Sequence, residues 1–123
     1  VLTELKRIKG IFELKTVSDA GFAPSLDMCA HCGAKTDLEY FDVSAGGAVC
    51  KNCSGDGSVR IYPKLWGFMK FILTKDMKTV FNTSNIDRAL IEDLNYISEK
   101  YFQFRLEYYF KSLDYLNKVI ENK

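Results

Sequence analysis

Four cysteines are the side chains in this sequence best suited to chemistry, and their spacing says which chemistry. Cys29 and Cys32 form one C-x-x-C pair and Cys50 and Cys53 another, with seventeen residues between them. A two-residue gap lets one tight turn aim two sulfurs at a single ion about 2.3 Å away, and two such turns complete a tetrahedron. Gly33 follows the first pair and Gly46-Gly47 precede the second, giving the backbone freedom that such turns need. One structural Zn²⁺ per chain is the expected occupant; iron in the same tetrathiolate geometry stays open on sequence alone. Four thiolates close the shell, so no coordination position is left for catalysis at the metal. Two disulfides are disfavoured because the first fifteen residues show no secretory signal. A thioredoxin-type redox pair is disfavoured because neither C-x-x-C sits in a βαβ context. His31 lies between the first two cysteines, and with four sulfurs present it is expected to be an exposed residue of the turn.

Other reactive groupings are scarce. There is one histidine, no Gly-rich phosphate loop, and no Ser or Cys nucleophile beside a base. Glu92 and Asp93 are adjacent on an expected helix, point in different directions and are read as solvated. The chain is therefore expected not to be an enzyme and to have no small-molecule substrate.

The 123 residues are 47% apolar and 14% aromatic, enough for one domain, or part of one, with a packed core, and too apolar for a wholly disordered chain. Lys64, Lys70 and Lys75 interrupt the richest apolar stretch, so no membrane span is expected. Without a signal, the expected location is cytoplasmic, at the nucleoid if nucleic acid is the partner. The first residue is Val1, so the chain is read as processed or as a piece of a longer one. Net charge is +1, unevenly spread. Residues 16–57 hold six acidic groups against Lys35 and Lys51, whereas Arg60, Lys64, Lys70, Lys75 and Lys78 face only Asp76. A loaded cage would add two negative charges, leaving the Arg60 to Lys78 segment as the contrasting positive region. That segment is the candidate polyanion contact; the plainer reading is a solvated helix face.

These groups must be positioned by three stretches. Residues 1–20 are read as the first helix of a helical domain: Leu5, Ile8, Ile11, Phe12, Leu14 and Val17 follow helical spacing up to Gly21, and Gly10 marks a break or a close helix contact. Residues 21–60 hold Pro24, all four cysteines, most glycines and a strand-like piece at Leu38 to Val43, a small four-cysteine zinc-binding module. Residues 61–123 return to helix. Pro63 opens a segment whose face is Leu65, Phe68, Met69 and Ile72, running to about Leu73. A turn near Thr83 to Asn85 follows, where Ser84 with Asp87 resembles a capping box. Leu90, Leu94, Ile97, Tyr101, Phe104 and Tyr108 then describe a long helix packed on others, and Leu113, Leu116 and Ile120 a last helical piece. The expected fold is mostly α with a small inserted β zinc module.

Around the cysteines the sequence becomes recognisable. Phe12-Glu13-Leu14-Lys15, Gly21-Phe22-Ala23-Pro24 with Leu26-Asp27, Cys29-x-x-Cys32-Gly33, then Phe41 and Gly46-Gly47 before Cys50-x-x-Cys53 resemble the zinc-binding portion of the bacterial recombination mediator RecO. Lys111-Ser112-Leu113 with Leu116 resembles that family's C-terminal Lys-Ser signature. Two stretches depart from the pattern: Thr16, Ser18 and Asp19 stand where the family usually has an apolar run, and Tyr108-Tyr109-Phe110 where it often has a His-Leu-Gly step.

The resemblance implies a helical C-terminal region with an inserted four-cysteine zinc finger, and that the family's N-terminal OB-fold is not in this sequence. It implies single- and double-stranded DNA, single-stranded DNA-binding protein (SSB) and RecR as partners. It implies a role in strand annealing and RecA loading, with the acidic, Phe-ended tail of SSB taken up by the helical region in some members. Only Cys29, Cys32, Cys50 and Cys53 carry over residue by residue.

Two readings of a different class stand beside this one. One is a zinc-stabilised interaction module that docks proteins through its hairpin and aromatic helix, with Phe102 and Tyr109, seven apart, marking a second helix face. The other is a redox protein with iron in the cage. Tyr101, Phe104 and Tyr108 are expected to be core.

Overall fold

The structure, a computed structural model, describes residues 2–83 and 86–121. Helix α1 (Leu2–Asp19) is followed by a three-stranded antiparallel sheet of β1 (Tyr40–Asp42), β2 (Gly47–Val49) and β3 (Val59–Arg60), with a 3-10 turn at Lys51–Cys53 between β2 and β3. Helices α2 (Pro63–Thr74), α3 (Met77–Phe81) and α4 (Arg88–Glu121) complete the chain. The fold is mostly helical with a small inserted sheet.

Helix α1 packs chiefly along α4. The contact is close because Gly10 has no side chain: a Cβ there would stand 3.3 Å from Leu94 and from Ser98. Gly10 therefore marks a helix crossing and not a break. The seam also carries polar pairs. Glu13 is buried, accepts from Lys9 at 3.1 Å and from Ser98 Oγ at 3.3 Å, while Lys6 pairs with Glu92 at 2.9 Å. Because Arg7, Gly10, Glu13 and Val17 occupy the packed face with Ile11 and Leu14, the expected apolar face is split. Leu5 (58% exposed), Ile8 and Phe12 (54%) point outward.

Pro63 starts α2 where its missing N–H costs nothing, and Leu65, Phe68, Met69 and Ile72 are its buried residues, as their spacing predicts. The short helix α3 has no counterpart in the sequence reading; five residues carry too little periodicity to announce themselves. The Ser84 half of the anticipated capping box lies outside the described residues. In the sheet the order is β2-β1-β3, with Phe41 opposite Ala48 and Val59. Phe41, Ala48, Leu26 and Ile61 join Ile11, Leu65, Met69 and Leu94 in one core, so the inserted sheet is built onto the helices.

Helix α4 runs unbroken through the point where a separate last piece was expected. Leu90, Leu94, Ile97 and Tyr101 are buried, as read. Phe104 is only half-buried and Tyr108 is 55% exposed, contrary to expectation, because the body thins out along this end of α4, where every residue from Leu106 to Glu121 is exposed. No helix among the described residues is long and apolar enough to cross a membrane.

Candidate metal centre

Two loops converge on the four sulfurs. The Cys29–Cys32 turn is closed by Gly33 N–H donating to the Cys29 carbonyl (2.9 Å), with Gly33 in the left-handed region at φ +78°. It is tied to β2 by Ala30 N–H donating to the Ala48 carbonyl (2.9 Å). The second pair spans the 3-10 turn leaving β2, where Cys53 N–H donates to the Cys50 carbonyl (3.0 Å). Register is thus set by backbone: β2 delivers Cys50, and the same strand fixes the first turn.

Gly46 and Gly47 do different things here. Gly46 is left-handed at φ +87° and completes the β1–β2 turn. Gly47 has ordinary dihedrals but a backbone neighbour: a Cβ would fall 2.2 Å from the Ser25 carbonyl oxygen. That close approach allows Ala48 N–H to donate to Ser25 at 2.7 Å and pins the loop before Cys29 against β2. Asp42 Oδ1 ties the turn by accepting from Ser44 N–H (3.0 Å), Ser44 Oγ (2.8 Å) and Ala45 N–H (3.2 Å). The Asp-x-Ser step is a turn signal that the sequence reading missed.

The ligand atoms of Cys29, Cys32, Cys50 and Cys53 all lie within 4.8 Å of one another. Cys32 and Cys50 Sγ are 3.7 Å apart, and a tetrahedron with bonds of about 2.3 Å has edges of about 3.8 Å. The donor set therefore fits a metal ion. Backbone N–H groups of Cys32 (3.5 Å) and Cys50 (3.4 Å) point at Cys29 Sγ. Burial alone would raise the Cys29 thiol, yet these donors bring it down to about 6. The sulfurs of Cys50 and Cys32 push Cys53 up to about 12, as expected when one thiolate forms beside others with no cation between them. Two charges on a central ion would let all four ionise together. His31 is exposed with Nε2 3.5 Å from Asp42 and is not among the clustered ligands.

The basic residues are spread out. Arg60 is on β3, Lys64 in the first turn of α2, Lys75 at its C-terminal end and Lys78 on α3, all exposed. Lys64 lies in α2 and Lys75 just past its last residue, where the backbone is already extended, so the helix does not itself fix both on one face. Lys70 differs: it pairs with Asp27 and stands 4.8 Å over the Trp66 ring. Glu92 and Asp93 are not free carboxylates: Glu92 holds Lys6, and Asp93 accepts from Tyr62 O–H at 2.7 Å.

A sequence profile described as "Recombination protein O C terminal" matches residues 4–114. The chain belongs to the RecO family. It is 34% identical over 110 residues to the DNA repair protein RecO of Caldanaerobacter subterraneus subsp. tengcongensis, covering 88% of this chain and 44% of that protein. It is 33% identical to the DNA repair protein RecO of a Thermoanaerobacter species with the same coverage, and 34% identical over 100 residues to that of Thermobifida fusca, covering 81% and 40%. The chain thus spans less than half the length of these curated relatives. No solved structure matches it at a significant level. The RecO C-terminal match includes both C-x-x-C pairs and most of α4.

Proposed function

We propose that this chain is the C-terminal region of a RecO-type recombination mediator in DNA repair, non-enzymatic and cytoplasmic, held together by a structural zinc ion. The observation that carries the reading is the family match spanning α1, the cysteine cage and α4 as one unit. Zinc is the metal of choice because four thiolates in a closed tetrahedral set suit a d¹⁰ ion that needs no open position. When bound, it supplies no reaction chemistry; it neutralises the thiolates. Cys29, Cys32, Cys50 and Cys53 hold it, and the backbone donors to Cys29 prepare the first ligand.

On this reading Arg60, Lys64, Lys75 and Lys78 contact phosphates of single- or double-stranded DNA, while Lys70 is already engaged by Asp27. SSB and RecR are the protein partners, through which the parent protein would promote annealing and RecA loading. The test is fluorescence anisotropy of a labelled single-stranded oligonucleotide across a salt series, beside capture of SSB with and without its acidic tail. Each phosphate neutralised adds a slope of about 0.7 in log K against log salt. Lys64→Ala with Lys75→Ala should flatten that dependence. Salt-independent binding would remove these residues from the interface. SSB capture with no DNA binding would favour the protein-docking reading.

A further inference from the structure

The loop after the first cysteine turn, the β1–β3 ladder and the start of α2 together enclose a pocket of about 320 Å³, a size suited to a small planar ligand. Leu38, the buried Ile61 and Trp66 give it apolar surface, and Lys35, Glu39 and Arg60 bring three charges to it. Backbone contacts fix these groups relative to one another. The Glu39 carbonyl accepts from Ile61 N–H at 2.8 Å, and Tyr40 is paired with Arg60 across the sheet. The indole is held in turn, because Trp66 Nε1–H donates to the Leu26 carbonyl at 2.8 Å.

Building on the DNA contact argued above, we propose that this pocket takes up one unpaired base of a single DNA strand and that Glu39 selects guanine. Trp66 supplies the stacking platform. It is half-buried and pinned by its own hydrogen bond, so little ordering is left to be lost when a base stacks on it. Lys35 and Arg60 supply the charge. Both are exposed, and among the described residues neither they nor Glu39 pair with an opposite charge. Two free cations beside an aromatic ring suit a seated base whose neighbouring phosphates need neutralising.

Glu39 decides what kind of ligand fits. A carboxylate in the pocket repels phosphate and an acidic peptide alike, so the group that enters must bring hydrogen-bond donors. An ionised carboxylate accepts through two oxygens and donates nothing. Guanine presents N1–H and N2–H side by side on its Watson–Crick edge and can satisfy both oxygens. Cytosine and adenine offer one amino group there, and thymine one N–H between two carbonyl oxygens, which the carboxylate repels. In a duplex these edges are already paired, so the same pocket separates single strands from double.

Trp66 is the only tryptophan in the chain, so its fluorescence reports on this pocket alone. The test titrates the metal-loaded chain with oligothymidylates whose central base is thymine, cytosine, adenine or guanine, reading Trp66 fluorescence beside the anisotropy of the labelled strand. Single strands should quench Trp66, a duplex should not, and the strand with guanine should bind about tenfold tighter than the all-thymine one. Glu39→Gln should abolish that preference, and Lys35→Ala should weaken every strand alike. Strands that bind by anisotropy without quenching Trp66 would overturn the pocket and leave the DNA contact standing, whereas no binding of any strand would remove the DNA contact itself and the pocket with it. A guanine preference that is missing, or that survives Glu39→Gln, would overturn the role of Glu39. Quenching by an acidic, Phe-ended peptide in place of the strands would overturn the choice of ligand.

Discussion

Phe41 of the inserted sheet and Tyr101 of α4 meet edge to face, ring centroids 5.7 Å apart at 87°, and both are fully buried. Tyr101 O–H continues the tie by donating to the Phe22 carbonyl at 2.8 Å. Through this pair the hairpin that delivers Cys50 is fastened to the helices. Phe41→Ala should cost about 3–5 kcal/mol in denaturant unfolding and weaken metal retention, since β1 sets the register of β2. Tyr101→Phe keeps the ring contact but loses the hydroxyl's bonds to the Phe22 carbonyl and from Arg105, and should cost about 2 kcal/mol. Equal losses for the two variants would contradict this division of roles.

Gly47 offers a sharper probe of the same strand. Its Cα faces backbone, so Gly47→Ala must push Ser25 away and break the Ala48 to Ser25 bond. The variant should lose metal to a chelator far faster than the wild type while α1 and α4 stay helical. Chelation at wild-type rate would show that the close approach does not hold the cage.

Removing one ligand should act locally. Cys50→Ala leaves three sulfurs and should release the metal, loosening the cluster of Cys29, Val49 and Cys50, because structural zinc contributes folding energy directly. Helical circular dichroism should largely persist, since α1 and α4 pack on each other without the cage. Collapse of the helical signal in step with metal loss would refute that picture.

Asp42 makes the hairpin sensitive to acid. Burial alone would raise its carboxyl, but the Ser44 hydroxyl, the Ala45 N–H and then His31 outweigh this and hold it below the usual 3.8. The folded form thus binds its proton less readily than the unfolded one. The resulting stability is complete above about pH 4 and fades as pH falls through the lower folded value. Asp42→Asn should therefore melt below the wild type at pH 7, and the gap should close below pH 4. A gap constant with pH would show that the charge contributes nothing.

Legibility in the sequence followed the physics of each element. The cage was readable because two-residue ligand spacing is a local constraint, and α2 because four apolar residues repeat on one face with Pro63 ahead of them. The packed face of α1 was not, since a glycine and a buried Glu13 do the packing while Leu5 and Phe12 face out. Nor could periodicity tell where the body thins out along α4: Tyr101 and Tyr108 share one helical stripe, but only Tyr101 has the sheet beneath it. Arg105 escaped notice because its partners, Phe22, Tyr101 and Phe104, come together only in the fold.

The most direct measurement is elemental analysis of the purified chain combined with a count of reactive thiols. The account predicts one zinc per chain and four thiols that become reactive only after chelation. A metal-free chain whose four thiols react at once, or one carrying iron, would contradict it.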